Sequence, residues 1–230
     1  MKKFKVALIA LVIGVSCSQV VAQSLAWERF IMPFRKSPWI LGLGWNIVED
    51  NGNAWKKIFA AKSSWHMPYF PASLTIEKMY TKGWSFVAPI NLNIYKPGKL
   101  VNSDIPSTAS YMFISSDLNA RYDFNQLYDF NKLIDPAKIF FDYYGTFGSG
   151  YTYRSAPRVK SAATLNLGFG ANIWIAQGFG INLQSMAKFG MASPFFSTPK
   201  NYLHYTFGAV YKFIPKGANQ AKRYKFNKTL

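Results

Sequence analysis

Cysteine is all but missing from this 230-residue chain, and the one present, Cys17, lies in a segment expected to be removed. The remainder then forms no disulfide and offers no thiolate for catalysis or metal binding. Acidic residues are scarce, 10 Asp plus Glu against 27 Lys plus Arg, giving a formal charge of +17. Histidine is scarcer still: His66 and His204 are the only two, without an HExxH spacing, so neither a metal nor a cofactor is expected. Beyond the first 22 residues no long apolar run occurs. That excludes a bundle of membrane helices, each of which needs roughly 20 consecutive apolar residues. With 50% hydrophobic residues and a mean hydropathy of −0.02, the chain is not disordered either. What is abundant is aromatic: 20 Phe, 14 Tyr and 7 Trp.

Lys2, Lys3 and Lys5 precede the apolar stretch Val6 to Val15, and Val20-Val21-Ala22 offers small residues to a signal peptidase. Residues 1–22 therefore read as an export signal. Lipidation of Cys17 is the competing reading, but Gly14 stands where a lipobox prefers Leu or another branched apolar residue. Loss of the signal removes three cations and no acid, leaving 24 − 10, or +14.

From residue 38 onward the hydrophobic period is two, and it returns eight times. Trp39, Leu41, Leu43, Trp45 and Ile47 alternate with Ile40 and small or polar residues. Leu74, Ile76 and Tyr80 alternate with Ser73, Thr75 and Glu77, and after a turn at Lys82-Gly83 the run Trp84 to Ile94 does the same. Further runs cover Met112–Tyr122, Phe141–Tyr151, Leu165–Ile173, Phe179–Phe189 and Leu203–Phe213, with residues 174–178 read as a short turn. A lipocalin-like barrel and a β-sandwich also alternate, but they turn the apolar face into a core of limited room. Here the apolar faces carry large aromatics near strand ends and the opposite faces are Gly, Ser, Thr and Asn. The pattern predicts an all-β, eight-stranded antiparallel transmembrane β-barrel of the outer-membrane type over 38–214. Residues 23–37 are a periplasmic N-terminal arm and 215–230 a basic tail. Loops 48–71, 96–110, 154–161 and 190–202 are long on the whole and alternate with short turns, which puts the long loops outside and both ends in the periplasm. Connection 124–137 breaks that rule. Pro89 is a second misfit, because proline cannot donate to the ladder, so a bulge or a distorted hydrogen bond is expected there.

Eight strands close on an interior that side chains fill. The inward charges Glu77, Asp117, Asp123 and Asp142 nearly cancel Arg121, Lys188 and Lys212, which suits ion pairs better than the single-sign wall of a selective pore. Gly42/Gly44, Gly168/Gly170 and Gly178/Gly180 sit in or beside strands and read as relief of crowding, not as dinucleotide loops. A hydrolase would have to be built in the first loop from Ser63 or Ser64 with His66 and Asp50, and a loop does not preorganise such a set. We read the protein as non-enzymatic, with a narrow channel or small-ligand receptor as the alternative.

Several of these segments carry a resemblance. Pro71–Ile76 with Lys82–Phe86, Gly148-Ser-Gly-Tyr-Thr-Tyr153, and Leu165-Asn-Leu-Gly-Phe-Gly-Ala-Asn-Ile-Trp174 followed by Gly178–Ser185 resemble the N-terminal barrel of OmpA-family proteins of the Bacteroidota. The resemblance spans roughly residues 37 to 214 and implies an integral outer-membrane location. His204 to Phe213, with Thr206, Gly208, Tyr211 and Phe213, is similar to the final-strand signal read by the barrel-assembly machinery. Members of that family usually continue into a peptidoglycan-binding domain, and no such segment follows residue 230 here, so wall anchoring is not carried over. Stand-alone barrels of this kind include accessory subunits of larger outer-membrane complexes, type IX secretion and gliding machines among them.

Surface features suggest what such a barrel touches. The first loop is unusually apolar, and Trp55, Phe59, Trp65 and Tyr69 are candidates for docking a partner or capping the barrel. Trp27 and Phe30 of the N-terminal arm pose the same question. Arg154, Arg158 and Lys160 are candidates for lipid A phosphates of lipopolysaccharide, and Lys222, Arg223 and Lys225 for an anionic partner or headgroups in the periplasm. Nucleic acid, the usual partner of so basic a chain, is not expected for an exported protein with no groove-reading motif.

Overall fold

The computed structural model describes residues 37–50, 61–81, 83–101, 105–106, 109–127, 140–156, 161–176, 178–191 and 201–213. Trp27, Phe30, Trp55, Phe59, Arg158, Lys160, Lys222, Arg223 and Lys225 lie outside them, as do the export segment and the tail.

The alternating segments become strands because one face suits lipid and the other suits a narrow polar interior. In chain order they are β1 (Trp39–Glu49), β3 (Ser73–Thr81), β4 (Trp84–Tyr95), β7 (Tyr111–Asp123), β8 (Phe140–Arg154), β9 (Ala162–Ala176), β10 (Phe179–Gly190) and β11 (Tyr202–Phe213). Each pairs antiparallel with the next, and β11 pairs with β1 from Trp39↔Phe213 to Glu49↔Leu203, which closes the sheet into an eight-stranded barrel. Closure matters in lipid, because every backbone N–H and C=O must find a partner within the protein. Two short pieces complete the described chain: β2 (Trp65–His66), preceded by the one-turn helix α1 (Ala61–Ser64), and the pair β5 (Leu100–Val101) with β6 (Ile105–Pro106). β2 pairs with the end of β1 through Val48↔His66 and Glu49↔Trp65, so this part of the first loop extends the barrel wall.

The distribution of polarity is inside out. Leu43, Leu118, Leu167 and Phe169 point outward and are 58%, 62%, 58% and 68% exposed, whereas Asn46, Asn119, Thr152, Thr164, Asn172 and Lys188 are buried within. A water-soluble domain hides its apolar side chains, and a membrane barrel presents them to lipid. Aromatic pairs gather where the short turns lie: Trp84 with Tyr122 at 4.8 Å and Tyr211 with Phe213 at 4.7 Å. There Lys78 donates from Nζ to Ser37 O at 2.7 Å and sits 4.7 Å from the Trp39 ring, an ammonium held at the edge of an apolar band.

The tight turns 81–84 and 176–179 are built around Gly83 and Gly178, whose φ angles of 92° and 82° favour glycine. The seam between β1 and β11 needs glycine for a different reason. Gly44 and Gly208 face each other there, and a Cβ on Gly44 would press on Phe207 O and lie 2.6 Å from Gly208 Cα.

One sequence expectation changes, and at Pro89 one of two alternatives is selected. The turn read as 174–178 is shorter, since β9 runs to Ala176 and carries Trp174 inward, where it is 2% exposed. Around Pro89 there is no bulge. The pairing of β4 with β7 omits Ala88 and Pro89 yet keeps one register on both sides, Val87↔Asn119 and Ile90↔Ser116. The missing proline donor is absorbed as a local gap in the ladder, without displacing any side chain to the other face.

Candidate functional site

The interior is the place where function as a pore would have to reside, and its residues are arranged in tiers. Nearest the short turns, Asp142 accepts from Trp174 Nε1 at 2.6 Å and from Asn125 Nδ2 at 3.2 Å. Lys212 Nζ lies 5.7 Å from the Trp174 ring, so Asp142 and Lys212 meet around this indole. Asp123 holds the short 3-10 turn that follows β7, its Oδ1 accepting from Asn125 N at 2.9 Å.

One tier higher, Arg121 Nη1 donates to Glu77 Oε2 at 2.5 Å, and Ser85 donates to the other oxygen at 2.7 Å. The guanidinium carbon stacks 3.3 Å from the Tyr144 ring centroid. That ring fits because Gly170 has no Cβ: one would lie 2.5 Å from Tyr144 Oη. The tyrosine hydroxyl accepts from Asn182 Nδ2 at 2.6 Å and donates to Gln184 at 3.2 Å. Beside this tier lies a cavity of about 30 Å³ lined by Gly42, Glu77, Arg121, Asn182 and Gln184 among others. It has room for isolated water.

Above it, Lys188 Nζ donates to both oxygens of Asp117, at 2.8 and 2.6 Å, with both side chains fully buried. Asn166 bridges to Asn119 at 3.1 Å, and Ser73, Asn91 and Ser115 form a chain across three strands. At the end with the long connections Val48, Tyr95, Val101, Phe113, Ala156 and Tyr202 form a buried apolar cluster. Through it runs a third buried ion pair, Arg154 Nε to Asp50 Oδ2 at 3.2 Å, with Tyr95 Oη donating to the same carboxylate oxygen at 2.6 Å.

The structure thus brings Glu77 to Arg121 and Asp117 to Lys188. It turns Arg154 inward, 4% exposed, which corrects its reading as a surface contact for lipid A: β8 continues to residue 154, and the period of two that buries Thr152 buries Arg154 as well. The sequence reading missed the partner Asp50 because it ended the first strand at the loop. It also missed Tyr95, Tyr202 and Trp174 as interior residues because it cut their strands short, and Tyr144 because the register of the Gly- and Tyr-rich run Phe141–Tyr151 was not assigned. Of the loop aromatics, Trp65 packs on Tyr205 with ring centroids 5.6 Å apart, while Tyr69 is 86% exposed. Thr206 and Gly208 face inward on β11, and Tyr211 and Phe213 outward, 48% and 47% exposed.

His66 does not pair with a loop serine. Its Nδ1 accepts from Lys96 N at 2.9 Å and its Nε2 donates to Leu100 O at 2.9 Å, so both ring nitrogens serve the backbone. Ser64 Oγ donates to Glu49 at 3.3 Å. Burial holds the His66 imidazole below its ordinary pKa of 6.5, aided by Lys99 and Lys96 and opposed by the Leu100 carbonyl and Asp50. A His whose folded pKa is lowered contributes stability that is full above 6.5 and is lost as pH falls from there through the folded value. Amide exchange corrected for its intrinsic rate should therefore show the Lys96 N–H less protected at pH 5 than at pH 7.5. A His66→Gln variant should lose that pH dependence, and an unchanged profile would disprove the assignment.

The fold and its inside-out polarity define the class: a transmembrane β-barrel of the outer-membrane type. Solved structures with which the chain shares this fold include neisserial surface protein A, at 9% identity and TM-score 0.46, covering 77% of this chain and 97% of that one. The N-terminal barrel domain of Pseudomonas aeruginosa OprF matches at 11% identity and TM-score 0.41, over 77% and 98%. The attachment invasion locus protein Ail of Yersinia pestis matches at 13% and 0.39, over 77% and 97%. No protein-family profile matches the sequence, and no curated protein does.

Proposed function

We propose that the protein is a structural or accessory subunit of a larger outer-membrane assembly, of the kind that serves type IX secretion or gliding. The observation that carries this reading is the filled interior. Among the described residues, three buried ion pairs and an apolar cluster with three aromatics lie within the barrel, which supports placing its working surfaces on the outside wall and the rims. Buried pairs of this kind are poor evidence for extra stability, since their desolvation offsets most of their attraction. They are well suited to fixing one arrangement of a polar core.

In this reading the long connections face outward and both termini lie in the periplasm, which follows from the general asymmetry of loop lengths in such barrels. Contacts to the partner come from the exposed rim aromatics, with Trp27, Phe30 and the cations of residues 215–230 supplying the periplasmic side. The tagged chain, extracted from native outer membranes in mild detergent and sized, is expected to travel with a stoichiometric larger protein. Deleting residues 216–230, or replacing Tyr69 and the other first-loop aromatics, should release it. A chain that migrates alone rejects the subunit reading. Protease added to intact cells should cut within the long connections and leave a terminal tag untouched.

A further inference from the structure

We propose that the rim between β3 and β4 holds the phosphate-bearing headgroup of an outer-leaflet glycolipid, with Lys96 and Lys99 binding the phosphate and Tyr69 lying against the lipid. The inference rests on the orientation given above, with the long connections outside.

β4 carries the apolar wall up to this rim. Its outward residues Ile90, Leu92 and Ile94 are 46%, 44% and 37% exposed, the apolar wall that lipid chains cover. The same alternation carried two residues beyond Ile94, about 6.6 Å along an extended chain, reaches Lys96. A cation therefore stands on the lipid-facing side where the apolar wall ends, at the level where headgroup phosphates begin. Lys96 Nζ lies 4.3 Å from the ring centroid of Tyr69, and Tyr69 and its neighbour Phe70 are 86% and 54% exposed. Aromatic rings at this level suit an amphipathic interface better than open water.

Lys99 supplies the second cation. Its Nζ donates to Trp65 O at 2.6 Å and to Ala61 O at 3.2 Å, so two of its three N–H groups are held by backbone and its position is fixed. The exposed Lys62 stands on α1, the same turn that offers Ala61 O. Lys96 is close enough to Lys99 to disfavour its charged form, a second effect after burial. Neither Lys96 nor Lys99 forms an ion pair among the described residues. Two neighbouring cations with no ion-pair partner among the described residues are stabilised by an external anion, and a phosphate monoester offers the most charge in the least space. Sequence reasoning placed this role at Arg154, Arg158 and Lys160; of these Arg154 is buried, and Arg158 and Lys160 lie outside the described residues.

The test is a titration of the mature protein in neutral detergent micelles with diphosphorylated lipid A, the same lipid A after phosphatase treatment, and phosphatidylglycerol, read by native mass spectrometry of retained lipid. Micelles have no sides, so failure of the site and failure of the orientation are read separately, the latter by the protease experiment. The site predicts at least tenfold stronger retention of the diphosphorylated form than of either control. The Lys96→Gln/Lys99→Gln double variant should lose that preference. Because Lys99 also braces the loop, Lys96→Gln alone is the safer variant: it removes only the ring contact and should still weaken retention severalfold and flatten its salt dependence. Equal retention of phosphatidylglycerol would mean general attraction of anions to a basic protein and would overturn the site, as would a Lys96→Gln protein that binds like the parent. Displacement by inorganic phosphate at a concentration matched to the lipid would likewise overturn it, since an ion alone would then suffice.

Discussion

Replacing Lys188 with Met should cost about 3–5 kcal/mol of unfolding free energy, the range for removing one partner of a buried pair. Both Lys188 and Asp117 are fully buried, and Asp117 accepts two bonds from the ammonium and has no other cation at that distance among the described ion pairs. Loss of Lys188 leaves a carboxylate in a dry interior with its charge unanswered. The double variant Lys188→Met/Asp117→Leu removes both charges and should recover most of the loss, because what destabilises is the orphaned charge and not the absence of the bridge. Urea unfolding of the protein reconstituted in phosphatidylcholine vesicles measures both. If the single and double variants were equally unstable, the site would be limited by packing and not by charge.

A Gly44→Val variant is expected to fail at barrel closure. Gly44 faces Gly208 across the β1–β11 seam, and its Cβ would meet Phe207 O, Phe207 C at 2.8 Å and Gly208 Cα at 2.6 Å. These neighbours are backbone atoms that hold the closing ladder, so they cannot rotate away as a side chain would. Overpacking a core commonly costs about 1–3 kcal/mol, and a clash with backbone belongs at or above the top of that range. Gly98 provides the control: its substitution by Asn should be tolerated, because nothing lies within 4 Å of a Cβ there and Asn accepts its φ of 75°. Heat-modifiability on gels separates the two outcomes: the Gly44 variant should lack the compact folded band that the Gly98→Asn protein retains.

Much of the barrel was legible because its pattern is repeated and simple. Outward Leu, Ile and Phe alternating with inward Asn, Ser, Thr and Gly carried strand number, facing and the turn at Gly83, and the same parity turned Glu77, Asp117, Arg121 and Lys188 inward without pairing them. Gly178, read as relief of crowding, is instead a turn glycine with φ of 82°. Legibility failed at strand ends. Asp50 and Arg154 each lie three residues past the end of the expected run, at Ile47 and Tyr151, and the ion pair they form continues the same parity across strands far apart in sequence. It failed also where a bulky aromatic points inward. Trp174 was read as part of a turn and Tyr144 was given no face, and the absence of Cβ atoms on Gly180 and Gly170 is what leaves the narrow interior space for them. Arg154 was the third miss: it stands in a stretch rich in positive charge and read as a surface cation, yet it is buried in the barrel.

The central claim is that this barrel spans the membrane with its interior occupied. Planar-bilayer recording on the reconstituted protein tests it most directly. The account predicts insertion without current steps for the parent protein between pH 6 and 8, under potentials that leave the membrane intact. Regular, ohmic steps from the parent protein would contradict it and make the tiers around Glu77 and Arg121 part of a conducting path.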